Sequence, residues 1–182
     1  MPFLKTAIEG LLVFEPQVWK DERGYFFESY NSNSFQAAGL QLHFVQDNQT
    51  RSTYGVLRGL HYQTGAYAQA KLVRVLEGEV LDIVVDLRPD SKTYGKSYSI
   101  ILSASNQKQL LVPKGFAHGY AVLSPTATFF YKCDNFYNKT SEGGILYSDP
   151  TLNIDWHLPK EDIILSEKDQ VLPTFGNHKP AL

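Results

Sequence analysis

The sequence predicts an all-β protein, a sandwich or a barrel, because short strand-like segments alternate with turn residues and no long amphipathic helix interrupts them. Glycine and proline occur throughout the chain, and 11 Phe, 11 Tyr and 2 Trp residues supply flat side chains that suit sheet faces. The 182 residues fit one domain. We expect a single domain over residues 1–182, with a barrel core at about residues 51–132 between an N-terminal sheet extension and a C-terminal closing segment.

The strand pattern is clearest between residues 79 and 88, where alternate side chains fall on opposite faces. One face carries Leu81, Ile83, Val85 and Leu87, and the other carries Val80, Asp82, Val84 and Asp86. Five further runs read as strands: 71–76, 97–102, 109–113, 116–123 and 126–132. Helical signals are weak. They predict a short helix in residues 33–40 that ends at Gly39, and one or two turns in residues 159–169.

Composition excludes several classes of protein. A net charge of −2 argues against a nucleic-acid-binding surface, which would carry a basic face. The single cysteine, Cys133, excludes an intramolecular disulfide and a cysteine-based zinc cluster. Lys5 and Glu9 interrupt the apolar start, and the longest uncharged run, residues 115–131, is shorter than a membrane span. We therefore expect a soluble, cytoplasmic protein with no nucleic-acid or membrane partner.

Two histidines lie in strand-like segments beside glycines, in residues 55–63 (GVLRGLHYQ) and 113–122 (PKGFAHGYAV). The spacing around His61 and His118 resembles the two motifs of the cupins, a jelly-roll family with a double-stranded β-helix whose lumen often holds a metal. Here Gln63 replaces the second metal-binding histidine and Lys71 replaces the glutamate. A protonated lysine repels a divalent cation and offers it no lone pair. The expectation is a cupin-type barrel with short peripheral helices, without a metal and without another cofactor.

Each candidate residue also has a purely structural interpretation. A strand histidine is often a hydrogen-bonded core residue, although the adjacent glycines favour a close backbone or ligand approach. Lys71 either extends its ammonium to the barrel rim or points inward toward negative charge on a substrate. Tyr131, which shares a strand face with Phe129 and Cys133, suits core packing, proton donation or stacking equally well.

A longer, ordered set of segments resembles one family, the dTDP-4-dehydrorhamnose 3,5-epimerases, which are cofactor-independent sugar-nucleotide epimerases. The resemblance extends from about residue 3 to residue 173. The segments that carry it are residues 21–30 (DERGYFFESY), 44–52 (FVQDNQTRS), 55–63, 71–88, 93–95 (TYG), 111–120 (LVPKGFAHGY), 130–137 (FYKCDNFY), 142–150 (EGGILYSDP) and 165–169 (LSEKD).

The resemblance implies roles for residues at matching positions. His61 would be the catalytic base, Asp169 its partner, and Tyr131 the proton donor. Lys71 would stabilise an enolate, and His118 would also line the sugar site. These residue types suit the reaction, because a 4-keto group acidifies the neighbouring C–H bonds and a carboxylate fixes the tautomer of a basic imidazole.

The same resemblance implies a binding set for the nucleotide sugar and a homodimer with exchanged N-terminal strands, in which residues such as Arg23 and Glu28 reach the partner's site. Tyr137 would stack on the thymine ring. Strict alternation places Arg58 opposite His61, so either the strand is irregular or Arg58 serves the phosphates at a rim or a subunit boundary. The matching positions are Arg23, Glu28, Gln46, Asp47, Asn48, Arg58, Lys71, His118, Glu142 and Lys168.

The reaction implied is epimerisation at C3 and C5 of dTDP-4-dehydro-6-deoxy-D-glucose, giving dTDP-4-dehydro-L-rhamnose through enolate intermediates in dTDP-L-rhamnose biosynthesis. A related dTDP-4-keto-sugar epimerase acting only at C5 or only at C3 is the nearest alternative, and product analysis separates the two. A metal-dependent cupin oxygenase is disfavoured by Gln63 and Lys71, and a bound-metal assay decides that case. A non-catalytic sugar-binding jelly roll leaves the set of His61, Lys71 and Tyr131 unexplained.

Overall fold

The computed structural model of the protein describes residues 3–182, in which thirteen β-strands and two short α-helices are formed. The strands are β1 (Phe3–Lys5), β2 (Leu12–Phe14), β3 (Trp19–Asp21), β4 (Gly24–Phe26), β5 (Gln46–Thr53), β6 (Leu57–Gln63), β7 (Lys71–Glu77), β8 (Glu79–Asp86), β9 (Ser97–Ser103), β10 (Gln109–Val112), β11 (Phe116–Val122), β12 (Thr126–Cys133) and β13 (Glu142–Gly144). The helices are α1 (Ser32–Ala37) and α2 (Glu167–Gln170).

Two antiparallel sheets face each other across the core. One has the order β1-β2-β10-β7-β12-β5, and the other has the order β13-β6-β11-β8-β9. Strands β3 and β4 form a separate hairpin. This is the cupin-type jelly-roll barrel that the sequence predicts, and the expected all-β class is confirmed.

Strand β8 buries both of its faces. Val80 and Val84 join the cluster between the sheets, while Leu81 and Ile83 join a second cluster under the C-terminal segment. The alternation in the sequence therefore separates two buried faces rather than a core face from a solvent face. Asp82, on the face between the sheets, is fully buried.

The helices are as short as the sequence predicts. Helix α1 has Asn31 as its N-cap, whose side chain accepts a hydrogen bond from the Asn33 N–H, and Gly39 follows its end with a φ of 81°. The C-terminal region holds a 3₁₀ turn (Lys160–Asp162) and α2. Within residues 3–182, no helix combines the length and apolarity that a membrane crossing needs.

The glycines beside the two histidines allow two strands to approach closely. A Cβ on Gly59, whose φ is 132°, would lie 2.6 Å from the Cα of Gly119. A Cβ on Gly119 would lie 2.7 Å from the carbonyl oxygen of Arg58. Any larger residue would push β6 and β11 apart. These glycines therefore serve the pairing of the two strands that carry His61 and His118.

Asp86 at the end of β8 fixes the turn that follows. Its carboxylate accepts hydrogen bonds from Arg88 at 2.8 and 2.7 Å and from the hydroxyls of Ser91 and Thr93, both at 2.6 Å. Burial works to raise the pKa of Asp86, but these bonds outweigh it and lower the pKa from 3.8 to about 2. The ionised form is thus favoured in the folded state.

We expect Asp86→Asn to lower the free energy of unfolding by roughly 2 kcal/mol at pH 7, as a lowering of the pKa from 3.8 to about 2 implies. A depressed pKa contributes stability above the unfolded value, and that stability disappears as the pH falls from about 4 to 2. Urea unfolding at pH 7 and near pH 2 measures both differences. An equal gap between wild type and variant at the two pH values would contradict this assignment.

Candidate active site

A cavity of about 210 Å³ lies between the two sheets. It adjoins a cleft of about 300 Å³, and His61, Lys71 and Tyr131 line both spaces. The cavity is also lined by Thr50, Arg58, His118, Gly119, Tyr120, Phe129, Ser166, Lys168 and Asp169. The cleft is also lined by Gln46, Asn48, Tyr62, Gln63, Gln69, Tyr137 and Glu142.

His61 and Asp169 form a hydrogen-bonded pair at the cavity wall. The His61 Nε2 lies 2.5 Å from Asp169 Oδ1, and the His61 side chain is 35% exposed while that of Asp169 is 4% exposed. Asp169 lies on α2, where Ser166 is the N-cap. Burial works to raise the pKa of Asp169, but hydrogen bonds from His61, Ser166 and the Gly59 N–H hold it below its ordinary value. An ionised Asp169 assigns the proton to Nε2 and leaves the Nδ1 lone pair free.

Strand β6 is irregular beside His61. His61 lies opposite His118 and Arg58 lies opposite Tyr120, so three steps along β6 match two along β11. This bulge brings Arg58 and His61 to the same cavity. The irregular strand that the sequence analysis allowed is observed, so strict alternation was wrong here, and the role of Arg58 toward the phosphates stays a prediction.

Lys71 and Tyr131 come from neighbouring strands of the sheet opposite His61. The Lys71 Nζ lies 5.7 Å from the centroid of the Tyr131 ring. Burial lowers the pKa of Lys71, while the neighbouring Cys133 and Asp82 work to raise it. Burial also raises the pKa of Tyr131 to about 12, so its hydroxyl keeps its proton at neutral pH. Because Lys71 lines both the cavity and the cleft, its side chain points into the barrel rather than out to the rim.

His118 has a carboxylate partner that the sequence analysis did not identify as part of the site. Its Nε2 lies 2.9 Å from Oδ2 of Asp82, and both side chains are buried. The strand alternation did place Asp82 on the face it occupies. An acidic residue between two valines on that face was the signal available in the sequence.

Polar contacts organise the mouth of the cavity. Lys168 Nζ lies 2.7 Å from Glu142 Oε1, which links α2 to β13. Burial works to raise the pKa of Glu142, but Lys168 outweighs it and lowers the pKa. The Tyr137 N–H donates to Gln46 Oε1 at 3.1 Å, and its side chain is 52% exposed. Tyr137 thus presents an open aromatic face beside the cleft.

Three of the residues predicted to bind the nucleotide sugar do not line either space. Arg23 lies on the exposed β3–β4 hairpin, where it pairs with Asp21. Glu28 lies in the segment after the hairpin, and its carboxylate accepts a hydrogen bond from Asn31 at 2.9 Å. Asp47 is exposed on β5 and pairs with Lys132 at 3.0 Å. Within one subunit, their side chains are separate from the cavity.

Gln63, one of the two residues that replace metal ligands of the cupins, has another role in the fold. Gln63 Oε1 accepts a hydrogen bond from the Asn138 N–H at 2.9 Å, which holds the segment after Tyr137. Over residues 3–182, no group of three or more His, Cys, Asp or Glu side chains has the arrangement of a metal site. Metal independence stays a prediction.

The cavity brings an imidazole and a carboxylate on one wall opposite an amine and a phenol on the other. His61 and Asp169 lie on one side, while Lys71 and the protonated Tyr131 lie on the other. Such an arrangement suits proton removal beside a carbonyl, stabilisation of the resulting enolate, and return of a proton from the opposite face.

Comparisons with known proteins find one family over nearly the whole chain. Residues 5–177 match the family model for dTDP-4-dehydrorhamnose 3,5-epimerase. The enzyme of that name from Shigella flexneri is 54% identical over 170 residues, which cover 93% of each chain. A dTDP-4-dehydrorhamnose 3,5-epimerase structure from Elizabethkingia anophelis NUHP1 is 57% identical, with a TM-score of 0.93 and 96% of both chains covered. The dTDP-6-deoxy-D-glucose-3,5-epimerase from Legionella pneumophila Philadelphia 1, solved with dTDP-4-keto-L-rhamnose, is 46% identical, with a TM-score of 0.92 and 96% and 93% of the chains covered.

Proposed function

The chain belongs to the dTDP-4-dehydrorhamnose 3,5-epimerase family, and we propose that His61, oriented by Asp169, is the base of its reaction. The chain is an epimerase that acts at C3 and C5 of dTDP-4-dehydro-6-deoxy-D-glucose and yields dTDP-4-dehydro-L-rhamnose for dTDP-L-rhamnose biosynthesis. The observation that carries the assignment of the base is the hydrogen bond between His61, which faces the cavity, and the buried Asp169. We also propose a cytoplasmic location, as expected from the sequence.

Each inversion proceeds in two proton transfers. His61 takes the proton from the carbon beside the C4 carbonyl, and the C–H electron pair moves into the ring to form an enolate. The negative charge develops on the C4 oxygen, where the Lys71 ammonium stabilises it. The enolate carbon then takes a proton from Tyr131 on the opposite face, which completes the inversion. Solvent restores the proton to Tyr131 and removes it from His61.

Other cavity and cleft residues suit the rest of the substrate. A diphosphate carries two negative charges, and Arg58 and Lys168 bring cations to the mouth of the cavity. Tyr137 offers a ring for the thymine base, as the resemblance implies. Gln46 and Asn48 line the adjoining cleft and supply amide groups.

NMR of dTDP-4-keto-6-deoxyglucose incubated with the protein in D2O tests the function and the base together. Wild type should exchange deuterium into C3 and C5 and form the doubly inverted product. His61→Asn should abolish exchange at both carbons, because no other group replaces the base. Asp169→Asn should slow turnover by roughly 10²–10⁴-fold, the range for impaired general-base catalysis. Near-wild-type exchange in His61→Asn would show that another residue removes the proton, and inversion at a single carbon would identify a mono-epimerase.

Tyr131→Phe separates proton donation from packing. The variant keeps the ring. If Tyr131 were purely structural, the substitution would lower the free energy of unfolding by about 1 kcal/mol, the cost of one lost hydrogen bond. A proton donor behaves differently: His61 still exchanges the substrate proton with solvent, while inversion falls much further. The ratio of exchange to inversion is the measurement, and partial unfolding leaves it unchanged. An equal fall in both rates, or no fall, would remove Tyr131 as the acid.

We propose that the enzyme works as a homodimer with exchanged N-terminal strands. The β3–β4 hairpin exposes Trp19, Tyr25 and Phe26 by 54%, 59% and 66%. A two-stranded hairpin with an exposed aromatic face is marginal in water unless another surface covers it. Arg23 and Glu28 lie on this arm or next to it and not at the cavity, so a second copy that receives the arm would complete the site.

Complementation tests this exchange. His61→Asn keeps an intact arm, and Arg23→Ala keeps an intact base, so in exchanged dimers of the two variants one site of each mixed pair is complete. An equimolar mixture, unfolded and refolded together, should recover about a quarter of the wild-type sites, since half of the dimers are mixed. Each variant refolded alone is the control. If Arg23 serves its own chain's site, the mixture will show only the average of the two variants.

A further inference from the structure

Tyr137, whose ring is proposed above to stack on the thymine base, lies in a loop that its own side chains do not anchor. The loop, residues 134–138, follows β12 and brings Tyr137 to the cleft. Its two aromatic side chains, Phe136 and Tyr137, are 61% and 52% exposed, so apolar packing contributes little to their position. A loop with exposed rings samples many conformations unless its backbone is held. The position of the Tyr137 ring therefore depends on hydrogen bonds to the loop backbone.

Two glutamine side chains hold successive peptide groups at Tyr137. The Tyr137 N–H donates to Gln46 Oε1 at 3.1 Å. The next N–H, that of Asn138, donates to Gln63 Oε1 at 2.9 Å. Gln46 begins β5 in the six-stranded sheet, whereas Gln63 ends β6 in the five-stranded sheet. The backbone at Tyr137 is thus tied to both walls of the barrel.

Other side-chain bonds fasten the beginning of the loop to the segment that precedes β7. The Ala70 N–H donates to Asp134 Oδ1 at 2.7 Å. Asn135 donates from Nδ2 to the Ala66 carbonyl at 2.9 Å, and its own carbonyl accepts from Gln69 Nε2 at 2.8 Å. These bonds fix the first half of the loop, and the two glutamines of the barrel hold the half that carries the tyrosine ring.

Gln63 is suited to holding a backbone group. Its side chain is buried, and a backbone N–H can only donate, so the Asn138 N–H fixes the amide with Oε1 toward the loop. An amide is also neutral at every working pH. It therefore accepts this hydrogen bond without the protonation changes of the histidine that metal-binding cupins carry at the matching position.

We propose that Gln63 is a positioning residue for nucleotide binding, which acts through the Asn138 N–H to hold the Tyr137 ring in the orientation that stacks on the thymine base. The inference rests on the role of Tyr137 proposed above, and Gln63 lies outside the binding set that the resemblance implies. Because the loop is held before the nucleotide arrives, binding does not have to order it, and the stacking energy appears as affinity. The effect is common to substrate and transition state, so it acts on KM rather than on kcat.

Gln63→Met removes the acceptor and keeps a side chain of similar length. If the ring-bearing half of the loop then spends about a tenth of its time in the binding geometry, the Kd for dTDP should rise about 10-fold. KM should rise by a similar factor, while kcat stays within about 2-fold of wild type. Calorimetric titration with dTDP and steady-state kinetics measure these changes. An unchanged Kd, or a fall in kcat without a rise in KM, would overturn the proposal.

A double-mutant cycle with Tyr137→Ala separates positioning of the ring from direct contact with the nucleotide. If Gln63 acts through the ring, Gln63→Met should weaken dTDP binding about 10-fold in the wild-type background and leave the Kd of Tyr137→Ala nearly unchanged. Equal factors in the two backgrounds would mean that Gln63 acts independently of the ring, and the proposal would fail.

Gln107→Met is the matched control. Gln107 also bonds one backbone group of a loop, since its Nε2 donates to the Ala104 carbonyl at 2.6 Å in the turn between β9 and β10. The control should leave the Kd for dTDP unchanged. If it raises the Kd as Gln63→Met does, the effect belongs to any lost amide contact and the proposal fails. A wild type that does not bind dTDP would contradict the nucleotide substrate itself rather than the role of Gln63.

Hydrogen exchange in wild type gives a test that does not require any variant to fold. The Asn138 N–H should be protected from exchange in the free protein, and dTDP should add little further protection. An Asn138 N–H that exchanges like an unstructured peptide until dTDP is added would show that the ligand orders the loop, and it would overturn the proposal.

Discussion

Two buried carboxylates constrain the whole site. Each is hydrogen-bonded to a histidine, and the two histidines lie on adjacent strands. Asp169 holds His61 on β6, and Asp82 holds His118 on β11. Burying a carboxylate is unfavourable unless it is paired, so each histidine is required by the fold as well as available to a substrate. The close approach of β6 and β11, which Gly59 and Gly119 permit, keeps the two pairs side by side.

The opposite sheet carries the groups that face these two histidine–carboxylate pairs across the cavity. Lys71 and Tyr131 lie on β7 and β12, which are hydrogen-bonded neighbours. The two sheets place His61 and Tyr131 on opposite walls of the cavity, as the proposed removal and return of protons on opposite faces of a sugar ring requires. Burial acts on the two groups in different ways, since it raises the pKa of Tyr131 and preserves its proton while it lowers the pKa of Lys71.

The elements outside the barrel complete both the site and the second buried cluster. Helix α2 has only four residues, yet it delivers Asp169 to His61 and Lys168 to Glu142. The C-terminal segment covers the outer face of the five-stranded sheet, which explains why β8 is apolar on both faces. The β3–β4 hairpin remains exposed with its aromatic side chains, which is the physical basis for placing a second copy against it.

The sequence by itself determined the strands from β6 to β12, the regions of both short helices and, through the order of its motifs, the family to which the chain belongs. Period-two alternation is a local property, so it correctly assigned Val80, Asp82 and Val84 to one face of β8. Alternation failed at Arg58, because the bulge between β6 and β11 depends on how closely two distant strands approach. The pairing of Asp82 with His118, 36 residues apart, also required the tertiary structure, since strand register decides which buried groups meet. Alternation identifies the face of a side chain, whereas packing across the sheet decides what that side chain contacts.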